Sequence, residues 1–115
     1  MNNTVEQTLM HHLIAFGDNN LDEILKDYTD ESVIITPNGS IKGLSEIREF
    51  FKDFFTVIPT GSSFSMKQKT IVGNVAYILW ASESDSTKIS LGTDTFVFDG
   101  DKIQYHTVAD DRVQK

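Results

Sequence analysis

The chain contains no cysteine. That excludes a disulfide scaffold, a thiol nucleophile and a thiolate metal site, and it fits a cytoplasmic protein. Proline is scarce: only Pro37 and Pro59 occur, each where an element should end. No segment approaches the roughly 18–20 apolar residues of a membrane-spanning helix. Residues Met1 to Gln7 lack the cationic start and apolar stretch of a signal peptide. Cations are outnumbered: 10 Lys and Arg against 17 Asp and Glu leave a net charge of −7. No basic footprint for nucleic acid is expected, and no basic run for an acidic membrane surface. Repeats, low-complexity segments and linkers are absent. So are His-rich metal spacings, a Gly-x-Ser-x-Gly elbow, a phosphate-binding loop and a dinucleotide fingerprint. The expectation is a protein without metal or cofactor.

What is present is enough for one folded domain over residues 1–115. Hydrophobic residues make up 39% of the chain and charged residues 23%. Val5, Leu9, Leu13 and Phe16 follow helical spacing, which predicts a helix over 4–16. Gly17 to Asn20 breaks it. Asn20 can cap a second helix carrying Leu21, Ile24, Leu25 and Tyr28, with Glu23 placed for a capping box. Ser32 to Thr36 reads as a short strand, and Pro37-Asn38-Gly39 as a turn. Leu44, Ile47, Phe50, Phe51, Phe54 and Phe55 define a third helix that ends before Pro59.

The second half has β character. Residues 64–72, 75–80, 89–98 and 103–109 read as strands. Gly73-Asn74, Asp85-Ser86-Thr87 and Asp99-Gly100 supply the turns between them. Helices first and an antiparallel meander after predict an α+β fold, with three N-terminal helices packed on one face of a curved, mostly antiparallel sheet. The run Val75 to Trp80 is apolar on both strand faces. Helices cover one face only, so either a second copy covers the other or the strand is buried twice within one chain. The first option predicts a homodimer.

Five segments in order carry a family resemblance. They are Gly17 to Ile24, Tyr28 to Val33, Pro37-Asn38-Gly39 followed by Gly43, Ile47, Arg48, Phe50 and Phe51, then Asp94 to Gly100, and last Ile103 to His106 with Asp111 beyond. Together they resemble the nuclear-transport-factor-2-like superfamily, and within it the SnoaL-like and ketosteroid-isomerase-like proteins. The resemblance implies a cone-shaped apolar cavity for a small hydrophobic molecule. It also implies a cofactor-free acid/base reaction such as isomerisation, cyclisation, hydration or elimination, or a non-catalytic binding or assembly role on the same fold.

Residue by residue, the resemblance puts Asp94 where the isomerases hold a protonated acid and His12 where they hold a phenol donor. Thr36 stands where their carboxylate base belongs, and a threonine hydroxyl is no base at neutral pH. Ordinary ketosteroid isomerase activity is therefore not expected. The last strand lines the family's cavity, so His106 becomes a proton-transfer candidate beside Asp94 and His12. SnoaL-like cyclases use a carboxylate as acid/base, and the resemblance offers Asp110 or Asp111, at the strand end, for that role. Thr36, Tyr28, Phe54, Phe96 and Asp110 are the expected substrate contacts. Parity supports one part of this: Asp94, Phe96 and Phe98 share a strand face, which would desolvate the Asp94 carboxyl.

Overall fold

A computed structural model describes residues 3–115; the start of the N-terminal heptad lies outside them. Helix α1 runs Asn3–Gly17 and α2 runs Leu21–Leu25. Strands β1 (Val33–Thr36) and β2 (Gly39–Lys42) precede α3 (Leu44–Val57). Four long strands follow, β3 (Ser63–Val72), β4 (Val75–Glu83), β5 (Thr87–Asp99) and β6 (Lys102–Asp110), and β7 (Val113–Gln114) closes the chain. The sheet order is β2-β1-β6-β5-β4-β3, with β7 on β5. Every pairing is antiparallel except β1 with β6, because the chain crosses over through α3 and the meander between them. The three helices pack on a sheet that is at most mildly curved. No helix among the described residues is long and apolar enough to cross a membrane.

Local chemistry explains the boundaries. Asn20 caps α2, its side chain accepting from the Glu23 N–H at 3.2 Å. The expected capping box is only half formed. Glu23 turns away to Lys26 and His11 instead of returning to the Asn20 N–H. At α3 the cap is Gly43, whose φ of 91° suits glycine. The Leu44 N–H is satisfied from outside the helix, by the Asp30 carboxylate at 3.2 Å. Strand β2 was not expected: Gly39 reads as part of a turn and residues 40–42 fall in no predicted element, yet residues 39–42 pair with all of β1.

Three bulges set which side chains face the helices. On β3 and β4 the register slips between Met66 and Gln68. On β5, Ser90 and Leu91 together oppose Ala81, so Ile89 and Gly92 both point inward. On β6, Gln104 is the extra residue between Ile103 and Tyr105. Ile103 and His106, an odd and an even position, are both buried as a result, at 0% and 1% exposure. The core joins Ile24, Ile34, Ile47, Phe51, Ile78 and Phe96 between helices and sheet. On β4, Ala76, Ile78 and Trp80 are buried, whereas Val75, Tyr77 and Leu79 are half-buried on the opposite face.

Candidate functional site

Two neighbouring features hold the sequence-predicted residues. The first is a buried polar chain that crosses the sheet. Trp80 on β4 donates from Nε1 to Asp94 Oδ1 at 2.6 Å. His106 on β6 lies 2.6 Å from the other carboxylate oxygen through Nε2. The Tyr28 hydroxyl, just after α2, lies 2.9 Å from His106 Nδ1. All four residues are at most 7% exposed. Burial first, and then the charge of Asp94, pushes the Tyr28 phenol well above its usual range. It keeps its proton; with the phenol donating to Nδ1, Nε2 carries the ring hydrogen and donates to Asp94. Each polar atom of the chain is thereby used within the protein.

His12 joins this cluster without a hydrogen bond to it. Its ring meets Phe96, His106, Phe51 and Tyr28 edge-on, at centroid distances of 5.1 to 5.9 Å. It is 3% exposed, and its Nδ1 has no hydrogen-bond partner. Burial above all, then His106 and His11, lowers its pKa well below the ordinary histidine range. His12 is a neutral side chain of the core. Phe96 stacks on the His106 ring at 4.3 Å and is fully buried.

The second feature is an open cleft of about 890 Å³ between α3 and the ends of β1, β2 and β6. Phe50, Phe54 and Val57 form its helix wall, and Ile41 and Val108 face them. Of the expected substrate contacts, Thr36, Phe54 and Asp110 line it. Tyr28 and Phe96 do not, and neither do Asp94, His106 and His12. The reason is geometric. Val108 stands directly beside Asp94 in the ladder, and the Phe54 ring lies 6.5 Å from Trp80. Both apolar side chains line the cleft, so they separate it from the polar chain.

Asp110 is the acid that does reach the cleft. Arg112 grips its carboxylate with Nε and one terminal nitrogen, each at 2.8 Å. Burial pushes the Asp110 carboxyl up, but Arg112 outweighs it through its side chain, its backbone N–H and its charge, and the net shift is down. The same guanidinium lies over the Phe54 ring, 5.3 Å from its centroid. The sequence reading missed Arg112, although its spacing from Asp110 was visible. Thr36 spends its hydroxyl on its own turn, donating to the Gly39 carbonyl and accepting from the Asn38 N–H. Asp111 serves the backbone instead, accepting from the Leu91 N–H at the β5 bulge. No group of three side chains among the described residues is set to hold a metal ion.

Comparison with known proteins now decides the family. Residues 9–112 match the SnoaL-like domain. The chain belongs to the SnoaL-like family. No curated protein matches it in sequence. Among solved structures it is similar to a SnoaL-like protein of unknown function from Burkholderia thailandensis, with TM-score 0.76, 15% identity, and 96% of this chain and 98% of that one covered. It is also similar to a de novo designed protein with a curved β-sheet, with TM-score 0.82, 11% identity and coverage of 96% and 88%. A candidate SnoaL-like polyketide cyclase from Shewanella putrefaciens superposes at TM-score 0.76 with 10% identity and coverage of 93% and 79%. At such identities the likeness establishes the nuclear-transport-factor-2-like fold of the family and not a shared activity.

Proposed function

We propose that this SnoaL-like protein binds a small hydrophobic molecule in the cleft between α3 and the sheet. The carrying observation is the cleft itself: its volume of about 890 Å³ lies within the range of small-molecule sites, and aromatic and aliphatic side chains form opposing walls. Two observations favour binding over catalysis. The polar chain of Tyr28, His106, Asp94 and Trp80 is satisfied internally behind Val108 and Phe54. Asp110, the carboxylate at the cleft, is held by Arg112 in its ionised form, which makes it a weak base. A neutral naphthyl probe should bind saturably. Val57→Arg, at a half-buried cleft position, should weaken it by about tenfold, roughly the loss of one good apolar contact. Unchanged affinity in that variant would place the ligand elsewhere.

A second reading rests on the same Asp110. In that reading the acid/base group is the Asp110 carboxylate at the cleft wall. Under this reading Asp110→Asn abolishes turnover of a bound substrate while retaining its binding. Turnover that survives in that variant would remove Asp110 from the chemistry.

We also propose that the protein self-associates through the outer sheet face. Val75, Tyr77 and Leu79 align there with Val97, Thr95 and Thr93, and these with Tyr105, Thr107 and Ala109. No side chain in this grid is charged, in a chain of net charge −7. Two like-charged copies can meet there without opposing ions. Light scattering should give twice the chain mass, and Thr95→Glu should return it to one. A monomer at micromolar concentration would overturn this.

A further inference from the structure

The cleft already holds one cation, and that cation belongs to the protein. The Arg112 guanidinium rests on the face of Phe54 and is forked onto Asp110, whose side chain is only 5% exposed. An aromatic face beside a buried carboxylate is the arrangement that recognises a planar or quaternary nitrogen cation. The rest of the lining extends the pattern. Glu46, Glu49 and Asp53 project from α3 along the same cleft, and among the described residues Arg112 is its one basic lining residue. Glu46 spends one oxygen on the Lys42 N–H. Among the described residues, no Lys, Arg or His pairs with Glu49 or Asp53.

We infer that the ligand of this cleft is an apolar molecule bearing a positive charge, an amine or guanidine, and that it competes with Arg112 for the Phe54–Asp110 seat. This inference rests on the binding reading above. The apolar part lies against Phe50, Val57 and Val108. The charged end reaches Asp110 and Phe54, with Glu49 and Asp53 adding to the field. Low-dielectric walls lined with one sign of charge concentrate the opposite sign. Arg112 therefore acts as a built-in occupant that a ligand cation must displace. An anionic ligand would use Arg112 as its anchor, so the two classes give opposite signs when Arg112 is removed.

The test is a titration of the full-length protein with three probes on one skeleton: 1-naphthylmethylamine, 1-naphthylmethanol and 1-naphthoate. The amine should bind tighter than the alcohol by about tenfold, the size of a desolvated cation–π contact with a charge partner, and the carboxylate should bind weakest. Raising the salt to about 0.5 M, where screening acts within roughly 4–5 Å, should narrow the gap. Arg112→Gln should widen the amine-to-alcohol ratio. The double change Glu49→Gln with Asp53→Asn, both at exposed positions, should shrink it, and this variant serves if Arg112→Gln does not fold. Saturable alcohol binding without an amine preference overturns this inference and leaves the binding reading standing. Tightest binding by the carboxylate, lost in Arg112→Gln, overturns it in favour of an anion. If no probe binds, both readings fall.

Discussion

His106 and Asp94 pair diagonally across adjacent strands. His106 sits opposite Phe96 in the ladder, yet its Nε2 reaches the Asp94 carboxylate two positions away at 2.6 Å. The β6 bulge at Gln104 makes this possible by keeping both Ile103 and His106 on the inner face. The chain Tyr28–His106–Asp94–Trp80 is thus a structural consequence of one extra residue.

This chain should act as a unit in stability. Tyr28→Phe leaves the buried His106 Nδ1 without its donor and should cost ~1–3 kcal/mol. Asp94→Asn sets an NH2 group against one of two donors and should cost ~1–3 kcal/mol. Urea unfolding of both singles and the double should show coupling of at least ~0.5 kcal/mol. Additive losses, or singles within about 0.5 kcal/mol of the parent, would deny the network.

Gly92 positions the tryptophan of this chain. A Cβ built there would stand 2.3 Å from Trp80 Cε2. The indole therefore lies on bare backbone, in reach of Asp94. Gly92→Ala should displace it, cost ~1–3 kcal/mol by overpacking and break the Asp94 bond. Trp80 is the only tryptophan, so its fluorescence and near-ultraviolet dichroism report the change directly. An unchanged spectrum and stability would contradict this geometry.

Element types and their order were legible in the sequence because hydrophobic period and turn chemistry agreed. Leu44 to Phe55 kept one helical face, and Gly73 and Gly100 supplied the positive φ of 59° and 61° that their turns need. The parity of Asp94 with Phe96 and Phe98 also held, since the bulge opposite Val97 and Phe98 adds its extra residue to β6 and none to β5. The bulges at Gln104 and at Ser90-Leu91 were not legible, because strand period two carries no mark of an extra residue. Strand β2 was hidden because Gly39 to Lys42 is short and exposed, apart from the half-buried Ile41. At the site, Thr36, Phe54 and Asp110 line the cleft. The depth of His106 and Asp94 depends on Val108 and Phe54 meeting in space, which no local pattern encodes.

His11, on the outward side of α1, clasps the helical layer together. Its Nδ1 lies 2.8 Å from the Asp27 carboxylate and its Nε2 2.9 Å from Glu23, joining α1 to α2 and the turn beyond it. Glu23 first and Asp27 second raise the His11 pKa above 6.5. Burial raises that of Asp27, against the pull of His11 and Lys102. A raised histidine contributes stability in full below its unfolded pKa and loses it as pH rises through its folded pKa. A raised carboxyl acts in the same direction. Thermal stability should therefore fall as pH rises from about 6.5 through the folded His11 midpoint, and His11→Ala should flatten that fall. The ring titration followed by NMR should have a midpoint above 6.5; one at or below it would contradict the clasp.

Binding in the cleft between α3 and the sheet is the central claim, and an NMR titration with 1-naphthylmethanol, read at assigned methyl and aromatic resonances, tests it most directly. Saturable shifts are predicted at Phe50, Phe54, Val57 and Val108, with Tyr77 and Val97 on the outer sheet face unmoved. Shifts confined to that outer face, or none that saturate, would contradict it.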